Sequence, residues 1–229
     1  MIYSFQNTIF QPLLRFFPIV QKNEIFRLQR NIFQMCICAY CTAENLNEVE
    51  YLDISCKKVR RISSLPKLKR LVCKNCPNLV EISNLPELEN LTVNFCKKLS
   101  SIHSLSKVKF ADVSNNEAIT IIQNFPELET LWCSYCPNLT HIVALPSVKD
   151  IESQICDKLY HIAGLPELRK IMCGSCSQLK EIYNFPKLEV LRCELSGIGL
   201  IKAVPNLQKL VSSHCKSLAW IDKLPNLKE

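Results

Sequence analysis

A leucine–proline step returns every twenty residues along most of this chain. Pro66, Pro86, Pro126, Pro146, Pro166 and Pro186 fall on that grid, and Pro205 and Pro225 resume it after one deletion. A fixed period of this length belongs to a stacked solenoid, where a repeat covers its apolar face only against its neighbours. Taking 65–84 as the reference repeat, the columns through Leu65, Leu68, Leu71 and Leu79 stay apolar along the chain. The Ile82 column is isoleucine throughout: Ile62, Ile82, Ile102, Ile122, Ile142, Ile162, Ile182, Ile201 and Ile221. The columns define nine repeats, 46–64, six of twenty residues over 65–184, then 185–203 and 204–223, and a stub from Leu224 to Glu229 opens a tenth.

Each column is a line of side chains, every one worth roughly 1.5–3 kcal/mol when fully buried. Around Leu71 and Cys73 apolar residues alternate with variable ones, the period-two signal of a strand. One strand per repeat, reached by the same path each time, builds a single long parallel sheet. The β-branched isoleucine column favours extended chain. About a dozen residues separate successive strands, which leaves room for extended or 3₁₀ segments and little for convex helix.

The pattern Leu68-x-x-Leu71-x-Cys73-x-x-Cys76-x-x-Leu79 resembles the leucine-rich-repeat signature, and Val108-x-x-Ala111-x-Val113-x-x-Asn116-x-x-Ile119 shows that family's Asn where neighbouring repeats carry Cys. The resemblance covers 46–229. The short Leu-Pro form is similar to repeats of certain bacterial effectors and many giant-virus proteins, and the Cys-containing form to repeats of plant disease-resistance proteins. It implies an α/β-type solenoid of mostly parallel β structure, a right-handed horseshoe with one strand per repeat and a binding role. Such a role leaves the activity open, since repeat folds serve many functions.

Four C-x-x-C pairs occur, at Cys38/Cys41, Cys73/Cys76, Cys133/Cys136 and Cys173/Cys176, and such pairs ordinarily suggest zinc. Here the first Cys occupies a strand position that is elsewhere Ile54, Val93, Val113 or Ser153, and a thiolate site has no apolar substitute. The second alternates with Asn116 at a turn where a thiol or amide meets backbone groups. The expectation is therefore free, buried, slowly reacting thiols, with no metal, no disulfide and no cofactor. Cys38/Cys41 sit in a degenerate first turn and form the best of the four metal cases.

Residues 1–35 differ in texture, within an N-terminal segment, 1–45, that also holds the degenerate first turn. Ile2, Phe5, Ile9, Leu13, Phe16 and Val20, then Ile25, Leu28, Ile32 and Met35, recur at helical spacing. They suit a helical N-terminal cap over the open first repeat, or alternatively a segment that docks an adaptor protein. At the other end the strand edge near Gln208–Ser213 lacks a following repeat. The final repeat frays, or the edge meets a partner in end-to-end association, or the chain is truncated.

The chain has 229 residues and is 48% apolar with net charge +7, enough for one continuous core. The apolar run from Ile9 to Val20 is broken by Gln11, Pro12, Arg15 and Pro18, so neither a membrane span nor a signal peptide is expected. Fourteen cysteines without such a leader suggest a reducing, intracellular and cytoplasmic setting. The basic residues Lys57, Lys58, Arg60, Arg61, Lys67, Lys69, Arg70 and Lys74 scatter by phase and lack interleaved aromatics, so nucleic acid is not expected. The Lys67 and Lys69 columns alternate in sign with Glu87, Lys107, Glu127 and with Glu89, Lys109, Glu129, Lys149, which suggests cross-repeat charge pairing. His141 and His161 share a phase without a carboxylate, and no catalytic constellation survives the phase test, so an enzyme is not expected.

The outward strand positions repeat nothing, in contrast to the core columns. Among them Phe110, Trp132 and Met172 put apolar mass beside Asp112, Asp150, Glu152, Lys170 and Arg192, with Arg70 further along. Trp and Arg are favoured anchors of protein interfaces. The expected function is a non-catalytic module that binds a protein partner on the concave face of the solenoid. The alternative is the recognition subunit of a ubiquitin ligase, with residues 1–45 docking an adaptor.

Overall fold

The computed structural model describes residues 47–229. Nine strands form one parallel sheet in chain order: Tyr51–Ile54, Arg70–Lys74, Asn90–Asn94, Phe110–Asp112, Thr130–Trp132, Asp150–Glu152, Lys170–Met172, Val190–Arg192 and Lys209–Val211. Leu71 pairs with Leu91, Ile151 with Ile171 and Leu191 with Leu210, so each column of the sequence is a column of the sheet.

A second strand follows in every repeat, at the isoleucine column. These short strands make three further parallel sheets of three: Arg61–Ser63 to Ser101–His103, Ile121–Ile122 to His161–Ala163, and Glu181–Tyr183 to Trp220–Ile221. The expectation of an α/β horseshoe with one strand per repeat is therefore corrected. Among the described residues there is no helix at all, and the architecture is an all-β solenoid with two strands per turn. The physical reason is chain length. Six residues separate Lys74 from Glu81 and six separate Ser83 from Asn90, each gap having to hold a corner and a turn. The helical cap expected in residues 1–45 lies outside the described residues, as do Cys38 and Cys41.

The leucine–proline step is a turn. The Leu65 carbonyl accepts from the Leu68 N–H at 3.3 Å, and the same bond closes Leu85–Leu88, Phe125–Leu128, Leu145–Val148, Leu165–Leu168 and Phe185–Leu188. Proline at the second position of such a turn presets φ and lacks only an N–H the turn does not use. A second turn closes Cys76–Leu79 and its equivalents, with Pro77 and Pro137 in the same role.

Most of these turns are preceded by a left-handed corner. The Asn75 column (Asn75, Phe95, Asn115, Tyr135, Ile155, Ser175, Leu195, His214) and the Asn84 column (Ser64, Asn84, Ser104, Asn124, Ala144, Gly164, Asn184, Ala203) have φ between 54° and 70°. Corner N–H groups bond forward to the next repeat, as Tyr135 does to Gln154 O and Ile155 to Gly174 O, both at 2.9 Å.

The interior is one continuous apolar spine of the Leu65, Leu68, Leu71, Leu79 and Ile82 columns together with the cysteines. In the shortened repeat Gly197 lets the backbone pass Ser177, because a Cβ there would stand 2.0 Å from the Ser177 carbonyl oxygen. At the far end the stub returns to the last strand. Leu210 N–H donates to Glu229 O at 2.8 Å, and Gln208 O accepts from Lys228 and Glu229, so part of the edge expected to be open is covered.

Candidate functional site

The outward residues of the nine-stranded sheet are placed by the pleat, because alternate side chains leave opposite faces. Leu131 is buried, so Thr130 and Trp132 share the outer face. In-register pairing then sets Asp112 and Glu152 on either side of Trp132, and Phe110 and Asp150 on either side of Thr130. Neighbouring strands lie about 4.8 Å apart, so these two rows of three fit within about 10 Å.

Trp132 is 44% exposed and meets Phe110 edge to face, ring centroids 5.1 Å apart. This geometry suits two aromatic quadrupoles. The Asp112 carboxylate accepts from the Ser114 N–H at 3.0 Å and from the Asn94 amide at 3.1 Å, which fixes it. Glu152 accepts from the Gln154 amide at 3.1 Å. Lys170 and Met172 occupy the next strand, in register with Asp150 and Glu152.

Two of the expected site residues stand apart. Arg192 follows Met172 in register but turns to Glu194 at 3.2 Å. Arg70 lies two strands before Phe110, with its guanidinium 5.8 Å from the centre of the Tyr51 ring. The structure thus gathers Phe110, Asp112, Trp132, Asp150 and Glu152, adjoined by Lys170 and Met172.

Sequence reasoning missed the rim beside this face. The Asn75 column directly follows the outward Lys74 column, and its occupants include exposed Phe95, Tyr135, Ile155 and Leu195. The signal was the alternation of these bulky residues with Asn75 and Asn115, since Asn is the side chain that adopts the left-handed region most readily.

The cysteines lie in the spine. The described ones are free thiols, and all are buried except the half-buried Cys56 and Cys215. Three of the Cys76 column donate back one repeat to backbone carbonyls: Cys136 to Val113 O at 3.3 Å, Cys156 to Cys133 O at 3.1 Å, Cys176 to Ser153 O at 2.9 Å. Desolvation pushes Cys133 and Cys173 well above the usual thiol range and Cys136 up to about 12. A protonated thiol in an apolar spine is a poor nucleophile and a poor metal ligand. Among the described residues no three His, Cys, Asp or Glu side chains gather as a metal ion would require.

His141 and His161 are register neighbours that meet edge to face, ring centroids 5.7 Å apart, and both nitrogens of His141 are engaged. The Thr140 hydroxyl donates to Thr120 O, so His141 Nδ1–H donates to that hydroxyl at 2.8 Å and Nε2 accepts from Tyr160 at 2.9 Å. The charge columns pair across repeats as Lys67–Glu48, Lys107–Glu87, Lys187–Glu167, Lys69–Glu50, Lys149–Glu129 and Arg169–Glu189, at 2.6 to 3.1 Å. A concavity of about 730 Å³ along Ser64, Pro66, Asn84, Pro86, Ser104 and Ser106 holds no titratable side chain. No helix among the described residues is long and apolar enough to cross a membrane.

Comparison of the chain with protein-family models, with curated proteins and with solved structures finds no match. The chain is a repeat protein, a parallel β-solenoid with turns of about twenty residues.

Proposed function

We propose that this chain is a non-catalytic interaction module of the leucine-rich-repeat kind, which takes a protein partner on the outer face of its nine-stranded sheet. The observation that carries the reading is the exposed Trp132 packed edge to face on Phe110. A tryptophan left 44% exposed on a sheet keeps a large apolar area in water, and interfaces draw much of their energy from such rings. Repeat solenoids present extended faces of this type, with the spine holding the side chains in fixed register. The Asn116 and cysteine ladder supports the leucine-rich-repeat assignment, since both side chains serve backbone groups at the same turn.

The test is capture of partners from the native source by the full chain and by two variants of equal stability. Trp132→Ala is expected to lose a partner that Tyr183→Ala, altered at an exposed residue of the isoleucine-column strands, retains. Equal capture by both variants places recognition elsewhere.

A further inference from the structure

The face has a chemical preference. Trp132 stands between two carboxylates, Asp112 and Glu152, each its register partner on an adjoining strand, and Asp150 lies beside Glu152 on the same outer face. On the flanking charge columns, carboxylates of this chain are consumed by cations of the next repeat, as Glu87 is by Lys107 and Glu129 by Lys149. Asp112, Asp150 and Glu152 are different. None of them makes an ion pair among the described residues, although Lys170 is the register partner of Asp150 and Met172 that of Glu152.

Three carboxylates without an ion-pair partner among the described residues, around a partly exposed indole, form a complement to a cation. The face of an indole attracts a guanidinium or ammonium group through its quadrupole, more strongly as water leaves. Carboxylates on both sides supply charge-assisted hydrogen bonds to the same group. Phe110, edge to face with Trp132, holds the indole in place, and the hydrogen bonds from Ser114 and Asn94 hold Asp112, so the group is set before a ligand arrives.

Resting on the interaction reading above, we infer that Trp132, Asp112, Asp150 and Glu152 receive an arginine or lysine side chain of a basic protein segment. Cross-repeat register creates the cluster: Asp112, Trp132 and Glu152 come from three successive repeats, and no single repeat contains it.

The experiment selects displayed random dodecapeptides on the full chain. Affinities of the enriched peptides are then measured by the fluorescence of Trp132 in a Trp220→Phe background, where it is the remaining tryptophan. The enriched peptides are expected to carry arginine or lysine. Replacing arginine by citrulline, or acetylating lysine, removes the charge at nearly constant shape and is expected to weaken binding about tenfold. Glu152→Gln and Asp150→Asn are each expected to weaken it about three- to tenfold at unchanged melting temperature. Peptides that require Trp132 but bind equally well without their charge overturn the cation inference and leave the interaction face standing. Failure to enrich any peptide sensitive to Trp132→Ala overturns both.

Discussion

The side-chain amide of Asn116 donates to the Val93 carbonyl across 2.7 Å, in the slot where the Cys136 thiol donates to Val113 one repeat later at 3.3 Å. Asn116 also donates to Val113 O at 2.7 Å and accepts from the Cys96 N–H at 2.8 Å, all in the buried spine. The Val93 carbonyl and the Cys96 N–H depend on that side chain, while Val113 O also accepts from the Cys136 thiol. Asn116→Leu strands those two and is expected to cost about 3 kcal/mol in urea unfolding. Asn116→Cys is expected to cost about 1 kcal/mol, because Cys76 serves its own turn this way, accepting from Cys56 N and donating to Ile54 O. Equal losses from the two variants would show that the slot requires an amide.

Ser153 is the counter-case. Its hydroxyl is fully buried with no hydrogen-bond partner among the described residues, at a position occupied by Cys133 and Cys173 in the flanking repeats. Leaving a polar group unpaired costs roughly 1–3 kcal/mol. Ser153→Cys is expected to raise the unfolding free energy by about 1 kcal/mol, and Ser153→Val, which copies Val93 and Val113, to act in the same direction. A loss of stability in both variants would mean that the hydroxyl is served in solution.

How far the sequence reached depends on what each residue type reveals. Leu71, Ile82 and their columns vary so little that register was legible residue by residue, including across the deletion before Ile201. The outward phase of Trp132 and Glu152 followed from the same count. The second row was legible as extended chain from its β-branched isoleucines, but strands of two or three residues are too short for an alternation that would mark them as a second sheet row. The corners at Phe95, Tyr135, Ile155 and Leu195 were hidden for a physical reason. A left-handed residue is recognised by Gly or Asn, and here bulky side chains occupy it under the constraint of inter-repeat hydrogen bonds. The rearrangement of Arg192 toward Glu194 depends on side-chain torsions that no column pattern encodes.

Ile155 carries that constraint most sharply. It is β-branched, has φ 55° and is 39% exposed, so it bears left-handed strain with limited burial in return. L-residues lose roughly 1–2 kcal/mol in this region, and Asn, found at the equivalent Asn75 and Asn115, loses least. Ile155→Asn is expected to stabilise the chain by about 1 kcal/mol in chemical denaturation. A destabilisation of that size would show that the exposed isoleucine contributes more through packing than its backbone strain costs.

The thiol spine sets an alkaline limit on the fold. Burial raises Cys136 and Cys193 from the ordinary value of 9.0 to about 12, and raises Cys73, Cys133 and Cys173 well above it. Above pH 9 the unfolded chain releases these protons while the folded chain keeps them, so the folded state binds more protons than the unfolded state. Stability with respect to these groups is then constant below about pH 9 and falls as pH rises through 9 to 12. The slope grows with the number of thiols that hold their protons, one proton each. Melting temperatures between pH 7 and pH 11 should show a plateau and then a decline, and replacing Cys136 with Val should flatten the decline. Peptide mapping after brief alkylation at pH 8 should find the half-buried Cys56 and Cys215 labelled before the buried described cysteines. Rapid labelling of Cys133 or Cys173 in the native protein would contradict a closed spine, because their thiols react only where it opens.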